Sequence, residues 1–500
     1  MRLKLLPAAL TLTLALLCAC GTAVVNPVSG ETEMSAMSEE QEIAEGAKAH
    51  QQVLKEYSVY ANKPVQDYVN ALGQRLAAQS HRTNLQWHFT VLDSPEINAF
   101  ALPGGYVYVT RGIMAYMESE ADLAGVMGHE IGHVTARHGA QRATSQQHAG
   151  LGVFAANILG AVLESQGYSG AGQLAGQVSQ TVAAGYIASY GREQELQADG
   201  LGAEYLARNH YDPQNMVDVI TVLKNQERFA ADQAKAEGKP APTGGGWLAS
   251  HPSNDQRLAQ IKEKAAQYGK STQYVDDGHE RYLKLVQGLA FGESAEQGLV
   301  RGRNFYHGAL GIALTAPVGW HLQNAAEQLT LLNAASDAAL ILKPVPPSAG
   351  KTHAEVIKNG FKPTQGKTEV TMLNGLQATR FSGARLDAQG KTQSLEFTLV
   401  NGPDGKFYVL QQAAKDAATL QANRASLREA ETSFRPMNAQ DKAAAKPWVI
   451  KLQPYPKGGF AELAKRSILS NAESQLRLVN GFYGGGEPKP GQLVKVVEPG

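Results

Sequence analysis

Residues 128–133 read Gly-His-Glu-Ile-Gly-His, and this segment limits the fold more than any other part of the chain. Two histidines four apart project from one face of a helix, so His129 and His133 can reach a single tetrahedral metal. Glu130 then points beside that metal, where a carboxylate can take a proton from bound water. The surrounding pattern predicts a long helix over 118–138, and a helix that presents such groups inward needs a folded domain around it.

A catalytic zinc takes three protein ligands and keeps one position open. The stretch Arg192-Glu-Gln-Glu195-Leu-Gln-Ala-Asp199 lies about sixty residues downstream and is helical in pattern. Glu195 is the natural third ligand. Asp199 sits one turn further along the same face, placed either to orient a ligand histidine through its second ring nitrogen or to help deliver protons. One zinc per chain is expected.

Upstream, apolar residues recur at helical spacing from Glu42 to Ala78, and Trp87 to Leu92 alternates as a strand would. Asn98 to Gly105 reads as a turn, followed by the strong strand formers Tyr106, Val107, Tyr108 and Val109. Residues 144–190 carry one charged residue, Glu164, among many Gly, Ala and Gln. The longest apolar run there is short for a membrane span, which favours a helical flap over a transmembrane hairpin.

Arg2 and Lys4 precede an apolar run that ends Leu17-Cys18-Ala19-Cys20. The run is too short to span a bilayer and reads as a targeting signal. It resembles the lipobox of bacterial lipoproteins, which implies cleavage before Cys20 and lipidation of its thiol; an ordinary secretory signal is the alternative. Both readings put the mature chain outside the cytoplasm, and Gly21 favours the inner leaflet of an outer membrane. Cys18 and Cys20 are the only cysteines; cleavage would remove the first and lipidation consume the second, so no disulfide is expected in the mature chain. The 46 basic and 46 acidic residues balance, and no basic stripe suggests nucleic acid.

Together, Asn98 to Gly105, Glu120 to Val126, His129 to His138, Glu195 to Asp199 and Ser250-His251-Pro252 before Arg257 resemble the HtpX/BepA-like zinc metallopeptidases. The resemblance implies zinc at His129, His133 and Glu195, with catalysis by Glu130 and proton donation by Asp199. It also implies that Tyr106 to Val109 is an edge strand holding extended substrate by main-chain hydrogen bonds. His251 is implied as a fourth ligand that holds the enzyme latent; stabilising an oxyanion or packing at a helix start are its other readings. His138 and His148 are expected to serve packing or the surface.

The expected architecture is α+β and multidomain. A signal peptide at 1–19 and a tether at 20–41 lead into a mostly helical zincin-type metallopeptidase domain over 42–268. A connector at 269–302 precedes an α+β domain over 303–436. Residues 446–500 form a small strand–helix–helix–strand unit that resembles a LysM module, with peptidoglycan contact or packing as its role. The expected function is a lipid-anchored periplasmic endopeptidase acting on misfolded or stalled envelope proteins. A non-proteolytic chaperone or adaptor, or a peptidoglycan-bound scaffold, are the rivals.

Overall fold

The computed structural model describes residues 22–145, 190–236, 238, 251, 255–269, 274, 276–325, 328–386 and 390–500. Cys20, the signal segment, His148 and nearly all of the 144–190 flap lie outside the described residues. Among the described residues, no helix is long and apolar enough to cross a membrane. Helices and several small sheets give an α+β protein with two compact units. The first is the chain up to Leu289 joined by Ile450–Val497, and the second is Ala290–Val449 with the last three residues.

The first unit opens with a hairpin of β1 (Thr22–Val25) and β2 (Thr32–Ser35), so the expected aperiodic tether is folded from Thr22 onward. Long-range side-chain bonds explain why: Asn26 Nδ2 donates to Ala136 O at 3.4 Å and Gln141 Nε2 to Glu33 Oε2 at 3.1 Å. Helix α1 (Glu39–Glu56) starts at a capping box in which Ser38 and Gln41 satisfy each other's backbone N–H groups. Helix α2 (Lys63–Ala78) starts at Asn62, whose side chain accepts from Val65 N, and buries Val65, Val69, Leu72 and Leu76 on one face.

Strands β3 (His88–Leu92), β4 (Ala99–Leu102) and β5 (Tyr106–Thr110) form a sheet in the order β3-β5-β4. Strand β5 pairs parallel with β3 and antiparallel with β4. Tyr106 to Val109 is therefore the central strand, and its expected place at the edge is corrected. Both sides of its backbone are used by neighbours, and Val107, Tyr108 and Val109 are each 1% exposed. A run of β-branched and aromatic residues that packs on both faces stabilises most in the middle of a sheet.

After the short helix α3 (Arg111–Tyr116), helix α4 (Glu120–Thr135) runs through the heart of the unit, buried along its whole length. Ser119 caps its start by accepting from Asp122 N at 3.0 Å, and Glu120 and Asp122 lie in the first turn, where acidic groups suit the helix dipole. Helix α5 (Arg192–Arg208) packs against α4 almost backbone to backbone. A Cβ on Gly128 would lie 3.3 Å from Gly202 Cα, and one on Gly202 would lie 3.2 Å from His129 N. Helices α6 (Gln214–Ala236), α7 (Asp255–Gln267) and α8 (His279–Val286) complete the body.

The terminal segment folds in the order strand, helix, helix, strand, and Phe460, Leu463, Leu476 and Val479 form its apolar centre. Lys495 is fully buried. Its ammonium donates to Ala115 O at 3.0 Å and Met117 O at 2.8 Å and forms an ion pair with Glu118 at 2.7 Å.

The second unit is built on a seven-stranded antiparallel sheet. Its order is His321–Ala325, Gln328–Leu332, Ala338–Pro344, Phe407–Ala414, Thr392–Asn401, Leu376–Leu386 and Gln365–Leu373. One core joins Leu340, Val400, Tyr408 and Leu410 to Leu427 and Phe434, and another joins Phe381 and Phe397 to Val356 and Ile357.

Candidate metal centre

Helix α4 places His129, Glu130 and His133 at 0–1% exposure, and α5 brings Glu195 against them at 1%. His251 completes the group, itself fully buried. One ligand atom from each of His129, His133, Glu195 and His251 can be chosen so that all four lie within 4.8 Å of one another. The three expected ligands are thus brought together, with His251 beside them.

The separations test whether a metal fits. His129 Nε2 is 3.0 Å from His133 Nε2 and 3.2 Å from His251 Nδ1. Glu195 Oε1 is 3.4 Å from His133 Nε2 and 3.0 Å from His251 Nδ1. A tetrahedron with zinc–nitrogen bonds of 2.0–2.1 Å has edges of about 3.3 Å, and these four separations lie within a few tenths of an ångström of that length. Three imidazoles and a carboxylate are also the donor chemistry that zinc accepts.

The support around the group is specific. Asp199 Oδ1 lies 2.9 Å from His129 Nδ1, on the opposite side of the ring from the other ligands. A carboxylate there keeps the ring proton on Nδ1 and leaves Nε2 with its lone pair. Arg257, 1% exposed, grips Asp199 with two hydrogen bonds of 2.8 and 2.7 Å. It also pairs with Glu195 Oε2 at 2.9 Å and donates to His251 O at 3.1 Å. Burial works to raise the Asp199 carboxyl, but His129 and Arg257 outweigh it and hold the group down at about 2. Burial likewise works to raise Glu195, yet His251, His129 and Arg257 bring it below the ordinary carboxylate range. For His251 burial works downward, and the carboxylates of Glu195 and Glu130 lift it above the usual imidazole value.

Three contributors had no assigned role in the sequence reading. Arg257 stood in a recognised motif, but only the fold shows that it ties α5 to the chain at His251. His138, expected in packing or at the surface, is fully buried with Nδ1 2.9 Å from His133 Nδ1. The four residues that could hold a metal together are His129, His133, Glu195 and His251. Tyr190 stacks on His133 with ring centroids 3.9 Å apart, and Arg142 lies 5.4 Å from the tyrosine ring. No local pattern marks a lone tyrosine ahead of a helix as a neighbour of a histidine 57 positions earlier.

Residues 64–265 match the model of Peptidase family M48, a stretch that contains every residue of this centre. That stretch of the chain is similar to an M48 peptidase domain. It is 32% identical over 243 residues to the beta-barrel assembly-enhancing protease of Yersinia pestis, which covers 48% of this chain and 47% of that protein. The protein of the same name from Escherichia coli is 33% identical over 203 residues, covering 40% of this chain and 39% of that one. The mitochondrial metalloendopeptidase OMA1 of Schizosaccharomyces pombe is 26% identical over 263 residues, 52% of this chain and 71% of that protein. The chain thus spans about half the length of the bacterial relatives it matches.

Proposed function

We propose that this chain is a zinc-dependent endopeptidase, with His129, His133 and Glu195 as the metal ligands and Glu130 as general base. The observation that carries the reading is the buried quartet, its ligand atoms within 4.8 Å of one another, with the Glu130 carboxylate beside it, its Oε1 3.5 Å from His251 Nε2. A zinc ion held there supplies polarisation of the scissile carbonyl and a more acidic water. Glu130 takes the proton of the attacking water and returns it to the leaving amine. Asp199 holds the His129 ring through Nδ1 as a positioning group; its 2.9 Å approach to His129 and its two bonds to Arg257 support that role over proton donation. Extended substrate is taken along β4, which packs against α4 and has a strand partner on one side only among the described residues.

His251 occupies the fourth corner of the quartet in this reading, where a water would stand during catalysis, so the enzyme is held latent until that side chain withdraws. The relatives named for β-barrel assembly support a role in envelope protein quality control, with misfolded or stalled envelope proteins as substrates. Anchoring through a lipidated Cys20 on the periplasmic side of an outer membrane, and peptidoglycan contact by the LysM-like terminal segment, complete the proposal.

The test is zinc content and casein cleavage by the soluble mature chain beside Glu130→Gln and His251→Ala. One zinc per chain, with cleavage lost in Glu130→Gln, is the expected result, and a gain in His251→Ala supports latency. A metal-free chain that is inactive in all forms would overturn the enzyme and favour the adaptor. Binding to peptidoglycan sacculi that is unchanged in Glu130→Gln would count for the scaffold only if cleavage is absent throughout.

A further inference from the structure

Among the described residues, His133 is the ligand whose second nitrogen meets an imidazole in place of a carboxylate. Its Nδ1 points at Nδ1 of His138, 2.9 Å away, and His138 Nε2 lies 2.9 Å from Gln197 Oε1. Two nitrogen atoms at that distance share one proton between them, so one ring donates and the other accepts. The amide oxygen of Gln197 can only accept, so His138 carries its proton on Nε2. Its Nδ1 then has a lone pair, and the proton between the two rings belongs to His133.

The chain has to turn sharply for this contact to form. Helix α4 ends at Thr135, and Arg137 follows in the left-handed region at φ 58°. A non-glycine residue adopts that conformation only at an energetic cost. Arg137 is held in it by Glu42 Oε2 at 3.0 Å and by its own donation to Met37 O at 3.1 Å. The reversal returns His138 to the last turn of the helix it has just left, beside the ring of His133.

We propose that His138 and Gln197 are positioning residues for the metal: they lock His133 in the form protonated on Nδ1, with Nε2 free to bind. The inference rests on the zinc reading above and adds the outer support on this side of the site. The opposite tautomer would put a proton on His133 Nε2, where the ligand must have a lone pair. It would also set the lone pair of His138 Nε2 against the oxygen of Gln197. The His133–His138–Gln197 chain thus does with neutral groups what Asp199 and Arg257 do for His129 with charged ones. Both supports are anchored on α5, which also supplies Glu195.

The experiment measures zinc dissociation constants of the full mature chain by competition with a chromophoric chelator. His138→Phe keeps a ring but removes the acceptor, and its zinc affinity is expected to fall about ten- to a hundredfold. Gln197→Leu should lose a smaller factor, and Gln197→Glu, which keeps an acceptor oxygen, should bind as the parent does. The double variant His138→Phe with Gln197→Leu should be no weaker than His138→Phe alone, because Gln197 acts only through His138. Should His138→Phe fail to fold, the contrast between Gln197→Leu and Gln197→Glu decides. Parent-like affinity in His138→Phe, additive losses, or equal losses in the leucine and glutamate variants would overturn the inference while leaving the zinc site standing. A parent chain that binds no zinc would remove both.

Discussion

Arg257 meets Asp199 with two parallel hydrogen bonds, Nε to Oδ2 at 2.8 Å and Nη2 to Oδ1 at 2.7 Å, in a site that water does not reach. This fork fixes the carboxylate in one plane, and Asp199 in turn fixes the ring of His129. The same guanidinium also neutralises Glu195, so three acidic or metal-binding groups depend on one arginine from α7.

Asp199→Asn keeps the shape of the side chain and removes its charge. The amide can turn its NH2 toward His129 and favour the wrong tautomer. Zinc affinity is expected to fall about ten- to a hundredfold, with a native circular dichroism spectrum. Equal zinc retention by variant and parent during dialysis against a chelator would contradict the positioning role.

Lys495 joins the terminal segment to the end of α3 and the start of α4. Lys495→Met leaves Glu118, 27% exposed, without its partner, and the cost is expected to fall below the about 3–5 kcal/mol of breaking a fully buried pair. Thermal unfolding of the variant should begin well below that of the parent. Limited proteolysis should release the segment around 450–497 first. A melting point equal to that of the parent would show that the contact contributes little.

Glu120 is 3% exposed and pairs with Arg281 at 2.8 Å and Arg75 at 3.2 Å, with Tyr68 and Tyr211 donating to it as well. Burial works to raise its pKa, but Arg281 and the two tyrosines hold it down at about 2. A depressed carboxyl contributes stability that is complete above its unfolded value, about 4.3, and that is lost as pH falls toward 2. The melting-point gap between the parent and Glu120→Gln should therefore be constant from pH 7 to about 5 and close as pH falls to 2. A gap that holds its size down to pH 2 would show that the charge of Glu120 has no part in it.

The local signals were strong where chemistry depends on a short spacing. His129 and His133 share a helix face because they are four residues apart, Glu195 and Asp199 do so for the same reason, and no tertiary contact is needed to see either pair. The α+β character followed from helical periodicity in the first half and alternation in the second. The pairing of strands was not available in this way. Tyr106 to Val109 has the composition of a strand, but whether it lies at an edge depends on which partners reach it, and β3 and β4 occupy both sides. The residues after Thr22 look like a polar tether, and the bonds that fold them come from Ala136 and Gln141, more than a hundred positions away.

What the sequence determined by itself is the reactive set and its order along the chain, because helix geometry converts spacing directly into a shared face. Only the tertiary structure decided which groups support that set. Arg257, His138, Gln197 and Lys495 act through atoms that the fold brings together, across a helix crossing narrow enough for glycine and a chain reversal at Arg137. Contacts of that kind depend on how buried surfaces meet, and a buried polar group takes whichever partner the packing leaves within reach.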